Sequence, residues 1–511
     1  MYRHDHFCHP AICLAGPHQK EKYSPTYHWL AEFKSLLILL NNLKIDKTMT
    51  QIFFPDRFFN KLPLIALCLS MSACATLPDV QYLKESLDPQ DSAKIQTAQG
   101  TLSKQKTESL LTQRLRSAKV DLPELAALEE AATGSPLIAG NKLTLLNDGP
   151  QTMAAMKAAI RNAKDHINLE TYIFDEDGLG EDFAELLIQK QREGVQVNII
   201  YDSIGSLGTP PEFFQTLRDA GISVLEFNPV NPFKRMISWR LNNRDHRKIL
   251  VVDGTIAFTG GINITNDYSS GSLFRSRAKK RSQLGWRDTH IQVEGPAVAS
   301  FQWLFMQAWV SQKVDDLAAR KYFPPLKSAG DKIVRIIASE PGSGHEVYKA
   351  YVLAMQEAKT SIHITNSYFV PDVQMIEALT KAAQRGVDVK IVFPGVSDAG
   401  LVMHAGRSFY SQLLASGVRI FELQASVLHA KTAIIDGYWS TVGSTNLDMR
   451  SFLHNSEVNL IALDQGFGSV MESAFNEDLK NSIEVSAEKW EQRPFSDRMR
   501  EWMARRLEYW L

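Results

Sequence analysis

Cysteine is scarce in this chain of 511 residues and is confined to its start, at Cys8, Cys13, Cys68 and Cys74. The sequence after residue 74 therefore has neither a disulfide nor a thiolate metal site. The chain also has no excess of one charge, because its 56 Lys and Arg residues and 57 Asp and Glu residues give a net charge of -1. A chain with this balance has no global basic field, so we expect no nucleic acid partner.

Long apolar runs are missing too, and the run near the start is short. From Met49 the sequence has a basic stretch with Arg57 and Lys61, followed by the apolar residues 62–70. Such a run cannot span a bilayer, but it suffices for the apolar part of a secretory signal peptide. Residues 49–74 are therefore predicted to be a signal peptide, with a buried helix as the alternative.

The end of that segment, Met71-Ser72-Ala73-Cys74, resembles a bacterial lipoprotein cleavage site. The resemblance implies that Cys74 is lipidated and becomes the first mature residue, and an ordinary signal peptide is the alternative. The next residue, Ala75, is not the Asp that keeps such proteins in the inner membrane. The implied location is the bacterial cell envelope, as a membrane-anchored lipoprotein on the periplasmic side of the outer membrane.

The preceding residues 1–48 differ from the rest of the chain in composition. Five of the thirteen histidines lie within the first 28 residues, and a tract rich in Cys and His can bind metal. The alternative is a non-native or disordered extension, and we favour it because Met49 opens a complete signal peptide.

The most informative feature is a motif that occurs twice, H-x-K-x4-D followed by small residues and Asn. A single His-x-Lys on a strand is usually a solvated face. Two copies on the same apolar pattern favour one shared functional site instead. The first copy comprises His246, Lys248, Asp253, Gly261 and Asn263; the second comprises His429, Lys431, Asp436, Ser444 and Asn446.

The spacing predicts a strand-turn-strand unit in each copy. Residues two apart on a strand point to the same face, so each histidine shares a face with its lysine. The Asp-Gly pairs that follow are hairpin turn signals. The second strand then brings small residues and an amide towards that face. We therefore predict four phosphate-binding residues: Gly261, Asn263, Ser444 and Asn446.

The residue types point to a reaction at an anion. The ammonium groups of Lys248 and Lys431 supply point charge for a phosphate. An imidazole can attack, donate a proton or accept one near neutral pH. Asp253 and Asp436 either orient the histidines and lysines of the site or are turn residues. Because two lysines offset the developing charge, we expect neither a metal nor a cofactor.

The two motifs resemble the HKD motifs of the phospholipase D superfamily. Residues 368–372 (YFVPD) and 442–448 (VGSTNLD), with NRDHRK at the first motif, are similar to the bacterial cardiolipin synthase branch. The likeness covers the chain from about residue 134 to the C-terminus. It implies a phosphodiester substrate that one histidine attacks to form a phospho-histidine intermediate.

The same resemblance implies individual roles. The histidine of the N-terminal motif is often the nucleophile in this superfamily, hence His246, with His429 as the acid and base. Residues alone do not decide between the two. Glu457 matches a superfamily position that supports a catalytic histidine.

Outside the motifs the chain also repeats itself. Residues 167–174 (INLETYIF) and 362–369 (IHITNSYF) read as equivalent strands, each between predicted helices. Helices that alternate with strands predict an α/β fold. The resemblance implies duplicated α-β-α sandwich halves with a pseudo-two-fold active site at their junction. We place the first half at 134–330 and the second at 331–485.

Three further regions carry their own predictions. Residues 75–133 are polar and are predicted to be a tether with some helix, chiefly at 123–132. Residues 229–243 and a basic amphipathic helix at 486–511 mix aromatic with basic side chains, as is typical of a membrane interface. The alternative is a loop packed over the site for 229–243 and a tail packed onto the core for 486–511. Residues 269–284 read as an exposed basic loop.

The acceptor in the second reaction step decides the function. Attack by a phosphatidylglycerol hydroxyl, on a phosphatidyl group from phosphatidylglycerol or phosphatidylethanolamine, would give cardiolipin. The flanking sequences favour this phosphatidyltransferase. Attack by water would give phosphatidic acid, the product of a phospholipase D. A nuclease and a membrane-anchored binding protein are weaker alternatives, because the net charge is near zero and both motifs are intact. The expected partners are phospholipids and a membrane surface.

Overall fold

The computed structural model describes residues 77–86, 93–114, 122–231, 242–268, 285–312 and 317–511. The predicted extension 1–48, the signal peptide 49–74 with Cys74, the loop 269–284 and most of 229–243 lie outside the described residues. Predictions for those segments therefore stay predictions. Among the helices that the structure does describe, none is long and apolar enough to cross a bilayer.

Elements are numbered in chain order over the described residues. The helices are α1 (Val80–Ser86), α2 (Lys104–Arg114), α3 (Leu122–Thr133), α4 (Gly149–Asn162), α5 (Gly178–Arg192), α6 (Pro211–Asp219), α7 (Val298–Ser311), α8 (Glu346–Glu357), α9 (Val373–Gln384), α10 (Gly400–Arg407), α11 (Tyr410–Ala415), α12 (Met449–Leu453), α13 (Gln465–Lys480), α14 (Ala487–Glu491) and α15 (Phe495–Arg505).

The strands are β1 (Ile95–Thr97), β2 (Gly100–Thr101), β3 (Leu137–Leu146), β4 (His166–Thr171), β5 (Gln196–Asp202), β6 (Ser223–Phe227), β7 (Arg244–Asp245), β8 (Ile249–Val252), β9 (Ile256–Gly260), β10 (Trp286–Arg287), β11 (His290–Glu294), β12 (Lys332–Ser339), β13 (Ser361–Asn366), β14 (Phe369–Val370), β15 (Asp388–Pro394), β16 (Arg419–Leu423), β17 (Val427–Leu428), β18 (Lys431–Ile435), β19 (Trp439–Gly443), β20 (Leu447–Asp448), β21 (Asn455–Leu463) and β22 (Ser482–Glu484).

The main strands form one mixed sheet that runs through both halves. Its order is β6-β5-β4-β8-β9-β11-β3-β12-β21-β19-β18-β13-β15-β16. Outward from the central β3–β12 pair, each side has antiparallel strands first and then three parallel strands. This symmetry confirms the predicted duplicated α/β halves. The strand β22 adds one further edge to the second half.

Side chains alternate across the sheet, and helices cover both faces. On β8, Leu250 and Val252 pack into a core with α4, α5 and α6, whereas Ile249 and Val251 pack on the other face with α7. In the second half α8, α9 and α11 cover the first face and α13 covers the other. Each half is therefore an α-β-α sandwich, and its apolar motif strand is buried on both sides.

Local sequence sets the helix ends that frame the sheet. Asp148, Asp177 and Asp372 cap α4, α5 and α9 by accepting hydrogen bonds from N–H groups of the first turn. α5 and α9 each end two residues before a glycine, at Gly194 and Gly386. These two glycines have φ values of 89° and 88°, a left-handed conformation that glycine adopts without a steric cost.

The region 75–133 is not a tether in its described parts. The helix predicted at 123–132 is α3, and it packs against α8 of the second half. Glu129 is fully buried and accepts hydrogen bonds from Arg335 Nη1 at 2.9 Å and from Trp439 Nε1 at 2.7 Å. Loss of α3 would leave the buried Arg335 guanidinium without its counter-charge. The folded unit therefore begins before residue 134.

The C-terminal region differs from the single helix predicted at 486–511. Two helices, α14 and α15, flank Pro494, and a 3-10 turn at Glu508–Trp510 follows them. Proline lacks the N–H that a continuous helix would need. α15 packs against α10, with Glu501 and Ala504 buried, while its opposite side is exposed. Packing onto the protein, one of the two alternatives for this region, therefore holds for one face of α15.

Candidate active site

Each motif forms the predicted hairpin. β8 pairs with β9 in the first copy, and β18 pairs with β19 in the second. The turns hold Asp253-Gly254 and Asp436-Gly437, all with positive φ, as expected for a two-residue Asp-Gly turn. The prediction of a strand at the first His-Lys pair was wrong, because His246 and Lys248 lie in irregular backbone just before β8.

The two histidines are anchored across the junction of the halves. The N–H of His246 donates to the carbonyl of Ser456 at 3.0 Å, and the N–H of His429 donates to the carbonyl of Arg287 at 2.8 Å. The short strands β7 and β10 of the first half also pair with β21 and β17 of the second. The structure thus brings both motifs together at the junction.

Glu457 holds the first histidine. Its carboxylate lies 3.0 Å from Nδ1 of His246 and accepts from Ser444 Oγ at 2.5 Å and Asn455 Nδ2 at 3.1 Å. Burial raises the pKa of this carboxyl, but His246 and Lys248 outweigh burial, and the pKa is lowered. An ionised carboxylate accepts the Nδ1 proton, so Nε2 is the ring nitrogen left for a substrate.

Asp288, which was not among the predicted site residues, holds the second histidine. Its carboxylate lies 2.7 Å from Nδ1 of His429 and accepts from the N–H of Thr289. Burial raises its pKa, but His429 and Lys431 outweigh burial and lower it. The internal repeat could have identified Asp288. Alignment of β9–β11 with β19–β21 puts Asp288 at the position of Glu457.

Tyr268 adds a further contact at the second histidine. Its phenol lies 3.0 Å from Nδ1 of His429 and hydrogen-bonds with Asp288 and Asn263. Burial and the Asp288 charge raise its pKa well above the ordinary value, so the phenol stays protonated. The indole of Trp286 lies 4.9 Å from the same imidazole, between ring centres. The first half therefore supplies an acid, a phenol and an indole to the surroundings of His429.

Gly261 and Ser444 lie against these carboxylates, and their predicted phosphate-binding role stays a prediction. A Cβ atom at Gly261 would lie 2.1 Å from Oδ1 of Asp288, so glycine is needed there. The Gly261 N–H donates to the carbonyl of Thr289. At the equivalent position of the second motif, the Ser444 hydroxyl donates to Glu457. Both residues therefore position the groups that hold the histidines.

Both motif lysines are buried beside their histidines. Nζ of Lys248 donates to the carbonyl of His246 at 2.6 Å. Nζ of Lys431 donates to the carbonyl of His429 and, at 3.0 Å, to Ser367 Oγ. The charge of Lys431 acts on both Lys248 and His246, and that of Lys248 acts on His429, so the structure brings the two His-Lys pairs to one site, as predicted.

The two predicted asparagines lie next to these groups. Oδ1 of Asn446 accepts from Ser367 Oγ at 2.8 Å, and that hydroxyl accepts from Lys431. Oδ1 of Asn263 accepts from the N–H of Ile173 at 3.2 Å. The amide oxygens are thus used within the protein. The predicted phosphate-binding role of both asparagines stays a prediction.

Two tyrosines form walls of the site. The ring of Tyr172 lies 5.0 Å from the imidazole of the first motif and 5.1 Å from its ammonium. The ring centre of Tyr368 lies 6.1 Å from that of His429 and 6.0 Å from Nζ of Lys431. The Tyr368 hydroxyl donates to Asp398 at 2.7 Å. An ammonium that faces an aromatic ring gains electrostatic stabilisation.

Asp253 and Asp436 lie outside the site, which corrects their assignment to the catalytic set. The Asp253 carboxylate accepts hydrogen bonds from the N–H groups of residues 164–166, and Asp436 does so from residues 359–361. Each lies five residues along the chain from its motif lysine, about 16 Å at strand spacing. The turn-residue alternative is the one that the structure supports.

Burial leaves both imidazoles neutral before a substrate binds. Desolvation lowers the pKa of His429 to about 4, with Lys431 acting in the same direction and Asp288 opposing. The pKa of His246 is also lowered by desolvation, against the opposing charge of Glu457. A neutral imidazole can attack phosphorus, and the negative charge of a bound phosphodiester favours protonation of the other imidazole.

Burial also lowers the pKa of the lysines, to about 7 for Lys248 and about 8 for Lys431. The main cause is desolvation of each ammonium group, which the acidic neighbours offset only in part. An anion in the site favours the charged forms and raises both pKa values. Anion binding is therefore coupled to proton uptake near and above these pKa values.

We expect Glu457→Gln and Asp288→Asn each to lower kcat by about 10²- to 10⁴-fold. The amides keep the shape of the carboxylates but cannot stabilise a charged imidazole. The measurement is the pH profile of kcat with a soluble phosphodiester such as bis(p-nitrophenyl) phosphate. The matched control is Glu472→Gln, which alters a Glu–His pair outside the site, at 2.9 Å from His363 Nδ1. Wild-type turnover and pH profile in Glu457→Gln would contradict the positioning role.

We expect inhibition by inorganic phosphate to weaken as the pH rises from about 8 to about 10. Below their unliganded pKa values the lysines are charged and affinity is full. Above them each lysine must take up a proton on binding, which costs up to about tenfold per pH unit and proton. Lys248→Met should give a shallower dependence, whereas Lys381→Met, at an exposed lysine paired with Glu377, should not. An inhibition constant that stays level with pH would contradict the linkage.

Comparison with known proteins gives the family. A family model described as cardiolipin synthase, PLD-like domain, matches residues 156–272 and 351–479, one stretch in each half. A cardiolipin synthase of Geobacillus sp. is 37% identical over 378 residues, which cover 73% of this chain and 73% of that protein. Those of Alkalihalophilus pseudofirmus and Listeria monocytogenes are 36% identical, covering 73% of this chain and 73% and 76% of theirs.

A solved structure agrees on the fold. The phosphatidylserine synthase of Haemophilus influenzae superposes with a TM-score of 0.53, over 72% of this chain and 95% of that chain, at 13% identity. At this identity the likeness concerns the fold alone. With both halves matched and the two His-Lys pairs brought together, the chain belongs to the phospholipase D superfamily and, within it, to the cardiolipin synthase family.

Proposed function

We propose that the chain is a phosphatidyltransferase that forms cardiolipin from phosphatidylglycerol through a phospho-histidine intermediate. The observation that carries the proposal is the pair of histidine–carboxylate contacts, His246 with Glu457 and His429 with Asp288, beside two buried ammonium groups. One imidazole can attack phosphorus while the other moves protons, and the ammonium groups hold the phosphoryl oxygens. Its cardiolipin synthase relatives support a phospholipid substrate.

In the first step, Nε2 of His246 attacks the phosphorus of a bound phospholipid. A P–N bond forms as the bond from phosphorus to the head-group oxygen breaks, and His429 gives its proton to that oxygen. Phosphatidylglycerol loses glycerol in this step, and phosphatidylethanolamine would lose ethanolamine. The assignment of His246 as the nucleophile comes from the family pattern. The two histidines have equivalent carboxylate contacts, so these contacts are the same for either assignment.

In the second step, the neutral His429 takes the proton of a hydroxyl group of a second phosphatidylglycerol. The hydroxyl oxygen forms a bond to phosphorus, the P–N bond breaks and cardiolipin leaves. If water takes the place of that hydroxyl, the product is phosphatidic acid and the protein is a phospholipase D. Burial of the imidazoles, with His246 8% and His429 5% exposed, supports the lipid acceptor because it limits the access of bulk water.

We also propose that the chain is a lipoprotein of the bacterial cell envelope, anchored through Cys74 on the periplasmic side of the outer membrane. The support is the order of basic, apolar and cleavage-site residues within 49–74. A membrane surface is then the partner of the folded unit. A covalent lipid would keep the site close to its substrates.

We expect protein from Ala75 onward, mixed with vesicles of phosphatidylglycerol and phosphatidylethanolamine, to make cardiolipin with little phosphatidic acid. The products are separated by mass spectrometry. The protein begins at Ala75 because removal of residues up to 133 would take Glu129 away from Arg335. The rate should be unchanged in EDTA, since the lysines offset the developing charge.

His246→Ala and His429→Ala are the blanks for this assay. Release of glycerol identifies phosphatidylglycerol as the donor, whereas release of ethanolamine identifies phosphatidylethanolamine. Phosphatidic acid with a free head group as the main product would establish the hydrolase instead. Equal product in wild type and His246→Ala would contradict both reactions.

We expect a palmitate analogue fed to cells to label the chain, and the label to be lost in Cys74→Ala. The physical reason is that Cys74 is the thiol at the cleavage-site position of the signal peptide. Cys68→Ala, six residues earlier and within the apolar region, is the matched control and should keep the label. Labelling that persists in Cys74→Ala would contradict the lipoprotein proposal.

A further inference from the structure

The last 17 residues carry six of the fifteen large hydrophobic side chains that the described structure exposes. Four of these, Phe495, Met499, Trp502 and Met503, lie on one face of α15 and are between 40% and 74% exposed. We call them the C-terminal stripe. Positions 495, 499 and 502 follow the spacing of one helix face, with 503 beside them. The stripe is thus a contiguous apolar surface on a helix.

The opposite face of α15 is fixed to the protein. Glu501 and Ala504 are buried, and Glu501 accepts from Arg493 at 2.8 Å. The guanidinium of Arg505 lies 4.5 Å from the ring centre of Phe409. These contacts set the rotation of the helix about its axis. The stripe therefore points outward because of how α15 is docked.

The C-terminal segment packs on two elements that border the active site. α15 lies against α10, which begins two residues after Asp398, the acceptor for the hydroxyl of Tyr368. The ring of Tyr368 in turn faces Lys431. After α15, the ring of Tyr509 lies 5.4 Å from that of His454, at the end of α12. The stripe is therefore held beside the second-motif side of the site.

We propose that the C-terminal stripe inserts into the surface of an anionic phospholipid bilayer and holds the site entrance against it. The inference rests on the proposed function and names the surface through which the site meets its lipids. Tryptophan and methionine insert at the boundary of head groups and acyl chains, while neighbouring arginines bind the head-group phosphates. Four arginines accompany the stripe, namely Arg498, Arg500, Arg505 and Arg506.

Charge favours lipid over a second copy of the chain as the occupant. α15 and the turn after it carry these four arginines and two exposed or half-buried carboxylates, Asp497 and Glu508, while Glu501 is buried with Arg493. Asp497 pairs with Arg500 at 3.2 Å and Glu508 with Arg505 at 3.6 Å, so this segment has an excess of positive charge. A two-fold contact between identical stripes would set the same arginines against one another. A bilayer of phosphatidylglycerol offers negative charge to the arginines and an apolar layer to the stripe.

The test compares Met503→Glu with Val470→Glu, each in protein from Ala75 onward. Both add one negative charge on a helix, at side chains 51% and 48% exposed, and Val470 lies on α13, outside the stripe. Met503→Glu should bind vesicles of phosphatidylglycerol and phosphatidylethanolamine about tenfold more weakly in sedimentation, because an apolar side chain no longer inserts. Val470→Glu should bind as wild type does. Turnover of monomeric short-chain phosphatidylglycerol should be equal in all three proteins.

Equal vesicle binding by Met503→Glu and wild type would overturn the proposal. So would a dimer of the wild type, seen by sedimentation velocity, that Met503→Glu dissociates without a change in vesicle binding. Absence of any turnover in the wild type would count against the proposed function alone. The difference in vesicle binding would still decide the role of the stripe.

Discussion

The structure depends on a crossed interaction in which each half supplies a histidine and the other half supplies the carboxylate that holds it. His246 meets Glu457, and His429 meets Asp288. A buried carboxylate without a partner is strongly destabilising, and each half provides its own acid with hydrogen-bond donors while the other half provides the imidazole. The duplication therefore yields one site instead of two. The continuous sheet through β3 and β12 fixes the distance at which these pairs form.

Burial is the second constraint, and it explains the charge state of the site before a substrate binds. Desolvation lowers the pKa of both imidazoles and of both ammonium groups. The groups that would stabilise a phosphate are thus held in a setting that disfavours their charge. An anionic substrate relieves this, because its own charge restores the ammonium groups and supplies the protonated imidazole that a leaving alcohol requires.

Much of the fold follows from local patterns, and the departures have a common cause. The Asp-Gly turns, the helix ends at Gly194 and Gly386 and the repeat all come from short-range chemistry. The contact of Ser444 could not be predicted in this way. Its hydroxyl donates to the carboxylate of Glu457, which lies thirteen residues later on another strand. The region before residue 134 was equally ambiguous. Polar composition suggests a tether, yet buried apolar residues such as Ile95 and Leu125, together with the buried Glu129, join it to the core.

The sequence by itself determined the two hairpins, the His-Lys pairs at or just before their first strands, and the amphipathic character of α15. These depend on residue spacing along one element. The tertiary structure alone decided which acid holds each histidine, since the partners are 141 and 211 residues apart. It also decided which face of α15 is covered. Contacts between distant segments depend on how the strands and helices pack together, and a local pattern does not contain that information.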